Sequence, residues 1–299
     1  MNKMIFKGTC TAAITPFTKY GVDYDALGRQ IDFQIENGID ALCILGTTGE
    51  APTVTDEEYE TVAKFSYDRI AGRVKFIMGS GCNCTKNAIK KSQLSQKLGA
   101  DGLLVVTPYY NKCTQKGLVK YYNDICDNID IPVLCYNVPA RTGVNILPQT
   151  MAEIAEHKNI GGVKEACGNM EQICETARLL RGKTALYSGD DNLNLAMLSI
   201  GSMGLISVAS NIVPKEVGDV ARLFFAGKNE EAAVLQERLL PLIDIMFCEV
   251  NPIPVKRASE LIGLGQGIVR APLTVLEEEH DIKMKKILTE FGLKIKENL

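Results

Sequence analysis

Short apolar runs recur about every 25 to 35 residues along this chain, and helix-like amphipathic segments separate them. Runs such as LCILG (42–46), LLVVTP (103–108) and VLCYNVP (133–139) are apolar throughout rather than alternating. An unbroken apolar run of strand length suits a strand buried on both faces, as in a parallel sheet. The pattern predicts strands at Cys10–Phe17, Ala41–Gly46, Val74–Ser80, Gly102–Thr107, Pro132–Asn137, Gly161–Glu165, Ala185–Gly189 and Gly204–Ala209. The segments between them carry helix-start chemistry. Thr55-Asp56-Glu57-Glu58 has capping-box spacing, Thr85 and Thr114 precede amphipathic stretches, and Pro148 and Pro214 sit where a first helical turn begins. Eight βα units in one chain predict an α/β fold, a closed (β/α)8 TIM barrel. After residue 227 the strand signal stops, and the rest reads as two or three helices, among them Glu230–Phe247 and Leu276–Asn298. The expected organisation is therefore a barrel over 1–227 and a helical appendage over 228–299.

The chain's 299 residues suit one barrel, which takes about 250, plus a short extension. A composition of 46% hydrophobic and 23% charged residues supports a large core, and a net charge of −3 points neither to nucleic acid nor to an anionic membrane. In the opening MNKMIFKGTCTAAITPF, Gly8 and several threonines break the apolar run, which makes a poor signal peptide. No apolar stretch approaches the roughly 18 residues that span a bilayer, so the expected compartment is the cytoplasm. Ten cysteines are scattered through predicted strands and helices, and Cys82-Asn83-Cys84 lacks the C-x-x-C spacing of redox or zinc sites. They are expected to be reduced thiols, mostly small buried hydrophobes.

Barrel enzymes place their active sites at the C-terminal ends of the strands. Polar residues collect there. Gly46-Thr47-Thr48-Gly49-Glu50 follows strand 2, Tyr109-Tyr110-Asn111 strand 4, Tyr136 to Gly143 strand 5, and Ser188-Gly189-Asp190-Asp191 strand 7. Lys164 lies inside an otherwise apolar strand. Burial disfavours a charged amine, and a neutral amine attacks a ketone to form an imine. A structural lysine paired with Glu165 is the alternative. His157 and His280 fall in predicted helices away from strand ends, so acid–base work is left to Tyr, Thr, Lys or carboxylates. Tyr110, Tyr136 and Thr47 suit a proton shuttle, with amphipathic wall residues as the plainer reading of the tyrosines. Arg141 suits a bidentate grip on a carboxylate, or is a solvated surface arginine. The Gly46–Gly49 segment suits carboxylate binding through backbone N–H groups and two hydroxyls. It is no Walker motif, and no G-x-G-x-x-G follows strand 1.

Taken in order, GTTGE (46–50), YNVPARTG (136–143), VKE (163–165), SGDD (188–191), GSMGLISVASN (201–211) and NPIPVK (251–256) resemble the pyruvate-dependent class I aldolase superfamily, which includes N-acetylneuraminate lyase. The resemblance spans nearly the whole chain. It implies that Lys164 forms a Schiff base with pyruvate, that Tyr136 donates and accepts protons, and that Thr47 and Tyr110 complete a relay. The tyrosine at the Tyr110 position crosses into a neighbouring subunit in that superfamily, which implies a homodimer at least and commonly a homotetramer. Thr48, Gly189 and Ile206 are the implied substrate contacts, Ile206 through its backbone. Arg141 and Thr47 match the branch that condenses pyruvate with L-aspartate-4-semialdehyde, giving 4-hydroxy-tetrahydrodipicolinate for lysine and diaminopimelate synthesis. No cofactor is implied beyond the imine. In lysine-inhibited members a feedback site lies nearby. Asn83 and Tyr109 match it, whereas Tyr59 and Asn87 depart from it, so weak or absent lysine inhibition is expected.

Other readings stay open at this point. Dehydratases and aldolases of keto-sugar acids share the pyruvate half. A non-catalytic barrel binding a small acid is a second class, and a metal-dependent aldolase a third. The absence of suitably placed histidines speaks against the third.

Overall fold

The computed structural model describes residues 4–296. Eight parallel strands close into a barrel: β1 (Gly8–Ala12), β2 (Ala41–Ile44), β3 (Lys75–Gly79), β4 (Gly102–Val106), β5 (Val133–Asn137), β6 (Ile160–Glu165), β7 (Ala185–Ser188) and β8 (Gly204–Ser207). Each pairs with its sequence neighbour, and β8 pairs with β1 through Cys10 and Ile206. The α/β barrel with a helical C-terminal region is thus the fold that the apolar runs announce.

Alternation along each strand divides two cores. Cys10, Cys43, Ile77, Leu104, Leu134, Tyr187 and Ile206 fill the barrel, while Leu42, Phe76, Leu103, Val133 and Val163 pack outward under the helices. The floor is plugged: Phe6 stacks on Tyr187 at 4.4 Å, and the Tyr187 hydroxyl donates to the Phe6 carbonyl at 2.6 Å. With its floor closed, the barrel opens at its C-terminal mouth.

The capping box at Thr55 forms as read. Its hydroxyl accepts from the Glu58 N–H at 3.2 Å, and the Glu58 carboxylate accepts from the Thr55 N–H at 3.1 Å. Pro148 and Pro214 open their helices, and Thr114 caps Gln115–Cys126. Thr85 instead is the first helical residue, with Cys84 at the cap.

Several expectations shift. The first strand ends at Ala12, not Phe17. Pro16 removes a ladder donor, and Phe17–Thr18 pairs antiparallel with Gly21–Val22 in a small hairpin that periodicity did not reveal. His157 lies in the turn before β6, not in a helix. Four of the ten free cysteines are fully buried (Cys10, Cys43, Cys126 and Cys135), fewer than expected.

The tail forms three helices, Asn229–Met246, Ile253–Leu261 and Glu278–Phe291. The last stops at Gly292, whose φ of 101° is left-handed, before the predicted end; positions 297 and 298 of that prediction lie outside the described residues. Leu239, Leu242, Val255, Met284 and Leu288 share one core with Leu205 and Val208 at the end of β8. No helix among the described residues is long and apolar enough to cross a membrane.

Candidate active site

Lys164 and Tyr136 are Cα partners across β5 and β6, and both point inward. The lysine Nζ lies 4.5 Å from the centre of the Tyr136 ring. Both side chains are buried, Lys164 at 4% exposure. Two glycines make room for them. A Cβ at Gly162 would stand 2.6 Å from the Ala185 carbonyl oxygen and 3.1 Å from Leu134 and Tyr187 side-chain atoms. A Cβ at Gly189 would stand 2.9 Å from Lys164 Cε. Lys164 therefore rises between a closed floor and a wall made of backbone.

Glu165 faces the other way, as strand alternation requires. Its carboxylate accepts from Asn137 Nδ2 at 2.9 and 3.1 Å and from the Cys167 N–H at 3.0 Å. Burial pushes its carboxyl up to about 7 despite these bonds. The reading of Lys164 as a structural partner of Glu165 is removed by this geometry. Inside the barrel, burial raises the thiols of Cys10 and Cys43, the latter to about 12, so both stay protonated beside Lys164. Asp190 at the rim is raised by burial, with the Lys164 charge opposing the rise.

Loops supply the remaining groups. Thr47 and Thr48 follow β2; Thr48 is buried, and its hydroxyl accepts from Asn251 Nδ2 at 3.0 Å. Arg141 sits in the short helix Pro139–Thr142 after β5 and donates from Nη2 to the Asn251 carbonyl at 3.3 Å. A cavity of about 70 Å³ is lined by Thr47, Thr48, Tyr136, Arg141, Lys164, Gly189, Asp190 and Asn251. It shares Thr47, Tyr136 and Arg141 with an outer cavity of about 230 Å³ that continues to Lys91, Cys82 and Tyr109. A third, open groove of about 810 Å³ lies beside Asn229–Met246, away from the strand ends.

Two expected residues stand apart. Tyr110 is 90% exposed, with φ at +68°, and lines neither cavity. Ile206 is fully buried in β8 and belongs to the inner core beneath the cavity. Asn83 and Tyr109 lie together at the outer edge, where the Asn83 carbonyl accepts from Asn111 Nδ2 at 2.9 Å. Tyr59 is buried, and its hydroxyl bonds the Gly79 carbonyl at 2.9 Å and Ser95 Oγ at 2.8 Å. Both histidines are held elsewhere, His157 by Asp127 and His280 by Glu249. Among the described residues no three His, Cys, Asp or Glu side chains group as a metal centre would need.

The family model described as the dihydrodipicolinate synthetase family matches residues 5–291. The chain belongs to that family. Two curated relatives named 4-hydroxy-tetrahydrodipicolinate synthase, from Caldicellulosiruptor bescii and Caldicellulosiruptor saccharolyticus, are 47% and 48% identical. Each alignment covers 98% of this chain and 99% of the relative. The dihydrodipicolinate synthase crystal structure from Aquifex aeolicus is 42% identical, with a TM-score of 0.95 over 97% of this chain and all of that one.

Within this dihydrodipicolinate synthetase fold, residue-by-residue reading missed Asn251, which meets both Thr48 and Arg141. In the sequence its NPIPVK segment carries only the family resemblance. Asp191, grouped with the strand-end residues, turns away from the cavity: it is buried and accepts from the Val208 N–H at 2.9 Å and from the Ser207 hydroxyl.

Proposed function

We propose that this chain joins pyruvate to L-aspartate-4-semialdehyde through an imine on Lys164, giving 4-hydroxy-tetrahydrodipicolinate. The observation that carries this reading is a buried lysine amine above the ring of Tyr136, at the floor of a cavity whose upper wall holds Arg141.

The Lys164 amine attacks the pyruvate ketone, and loss of water leaves the imine. Thr47 and Thr48 are suited to hold the pyruvate carboxylate, and Ile206 is assigned a backbone contact below it. Removal of a methyl proton gives the enamine. Its carbon attacks the aldehyde of the second substrate, whose oxygen takes a proton through Tyr136. The acceptor's own amine then closes the ring and frees Lys164. The imine serves as the electron sink, so the chemistry draws on no further cofactor. Arg141 can meet the acceptor carboxylate in a bidentate pair. Gly189 keeps the wall open beside the lysine.

Tyr110 is assigned to the relay of a second copy. A tyrosine 90% exposed on a left-handed backbone supports a role outside its own barrel. The working unit is then a homodimer or a homotetramer. Residues 228–299 act as an extension of the barrel, since their helices share its β8 core. The free cysteines support a reducing, cytoplasmic setting.

Mass spectrometry after mixing with pyruvate and sodium borohydride tests the reading. One reduced pyruvate adduct on Lys164 is expected. No adduct at saturating pyruvate overturns the imine. Arg141→Ala is expected to leave that adduct intact while raising the KM for aspartate semialdehyde by roughly 10- to 100-fold, the range for a charge-assisted hydrogen bond. An unchanged KM would instead favour acceptors that lack this carboxylate.

A further inference from the structure

The loop carrying Thr47 and Thr48 is held between two residues in the left-handed region, Leu45 and Glu50, each at φ 54°. Neither is glycine, and such conformations persist where surrounding contacts over-determine them. At the Leu45 end the contact is backbone crowding: a Cβ at Gly49 would lie 3.0 Å from Leu45 Cα, and one at Gly79 would lie 2.1 Å from the Leu45 carbonyl oxygen. At the Glu50 end it is a charge pair. Glu50 forms an ion pair with Lys256, and the two side chains are 2% and 0% exposed.

Both partners are further tied to the C-terminal extension. Glu50 Oε2 accepts from the Arg270 N–H at 3.0 Å, and Lys256 Nζ donates to the Ile268 carbonyl at 2.8 Å. Lys256 Nζ and the Arg270 guanidinium lie 4.0 and 4.1 Å from the centre of the buried Phe17 ring. The Arg270 guanidinium also reaches the Thr53 carbonyl at 2.8 Å and the Glu58 carboxylate. Five residues before Lys256, Asn251 Nδ2 donates to Thr48 Oγ1 at 3.0 Å. The same segment thus grips the loop at Thr48 and at Glu50, more than two hundred residues away in sequence.

A buried ion pair is a weak source of net stability, because desolvation consumes most of its attraction. Burial is the main reason why the Lys256 amine is lowered to about 8. What the pair supplies here is geometry. Neither Glu50 nor Lys256 lines the inner cavity that holds Lys164 or the outer cavity that adjoins it.

We infer that Glu50 and Lys256 are positioning residues for pyruvate, fixing through their ion pair the loop on which Thr47 and Thr48 meet its carboxylate. This rests on the reading that Lys164 takes pyruvate. The residues act through the loop and touch no reacting atom.

The test is a pyruvate titration of borohydride trapping on the whole protein, with kcat and KM measured alongside. The variants are Glu50→Gln, Lys256→Met and the pair combined. Each single variant is expected to need about tenfold more pyruvate for half-trapping, the order of loss that a small misplacement brings. Full trapping at saturation and an acceptor KM within about twofold of wild type are expected to accompany it. The combined variant has no orphaned charge, so its melting temperature should exceed that of Lys256→Met while its pyruvate requirement stays high. Half-trapping at the wild-type concentration in folded Glu50→Gln, or in the combined variant, overturns the inference. If Lys256→Met does not fold, those two variants decide. A wild-type protein that traps no pyruvate at all overturns the imine reading itself.

Discussion

The Asn137 side-chain amide donates to both oxygens of the Glu165 carboxylate, at 2.9 and 3.1 Å, directly behind the facing pair Tyr136 and Lys164. The outward bond fixes the register that the inward pair uses. It also buries a carboxyl that titrates near neutrality. The folded-state value is about 7 against an ordinary 4.5, so the folded chain keeps a proton that the unfolded chain releases. Stability therefore falls as pH rises from 4.5 to about 7, and the penalty is complete above that. That interval corresponds to roughly 3 kcal/mol. Glu165→Gln keeps an acceptor for Asn137 and removes the charge. Urea unfolding at pH 5 and pH 8 should show the variant gaining on wild type at the higher pH. Equal pH dependence in the two proteins would mean that Glu165 is not the group responsible.

Gly189 presses its backbone against the lysine that it serves. A methyl there would lie 2.7 Å from Ala166 Cβ and 2.9 Å from Lys164 Cε, and the Glu165 carbonyl oxygen at 3.0 Å blocks retreat. Gly189→Ala is expected to lose about 1–3 kcal/mol of stability through overpacking. It should also slow trapping of pyruvate on Lys164 by tenfold or more, because the displaced amine misses its approach line. Stopped-flow trapping at saturating pyruvate measures the second effect. A wild-type rate would show that the lysine stem has slack the geometry does not reveal.

The barrel was legible because its strands are buried on both faces, so each shows as a short apolar run between amphipathic helices. Lys164 was legible for the same reason, as a charge inside such a run. Its orientation was not. Only the alternation observed in β6 separates inward Lys164 from outward Glu165. The apolar pattern overextends the first strand because Ala13, Ile14 and Phe17 are all buried, yet they pack as a loop and a hairpin around Pro16. Asn251 and Lys256 were invisible as site neighbours. They approach Thr48 and Glu50 from a helical tail more than two hundred residues away, and no local periodicity encodes that contact.

Lysine is expected to inhibit weakly or not at all. Tyr59 is buried with its hydroxyl already bonded to Gly79 and Ser95, and the Lys91 ammonium lies 5.3 Å from its ring centre. Asn87, on the neighbouring helix, is exposed and offers no negative charge. A free lysine ammonium approaching Asn83 and Tyr109 would meet Lys91 without a carboxylate to offset the repulsion. Initial rates with up to millimolar L-lysine check this. Near-complete inhibition below 1 mM would overturn it, whereas Lys91→Glu should raise sensitivity.

Tyr110 and Lys164 provide the sharpest test of assembly. If Tyr110 of one copy completes the relay of another, a Lys164→Ala subunit and a Tyr110→Phe subunit each spoil a different site when paired. In a mixed dimer, the site with the intact lysine belongs to the Tyr110→Phe subunit and receives its tyrosine from the Lys164→Ala subunit. That site is whole. The other holds both defects. The Tyr110→Phe parent should lose roughly 10²- to 10⁴-fold, as follows removal of acid–base help, and the Lys164→Ala parent, without the amine that forms the imine, should be essentially inactive. Mixing the two under subunit exchange should then restore activity, up to about a quarter of wild type for random pairing at equal amounts, with half of the dimers mixed and one whole site in each. If Tyr110 acts within its own barrel, the mixed dimer joins two spoiled sites and no activity returns. Native mass spectrometry of the mixture distinguishes that outcome from a failure to exchange.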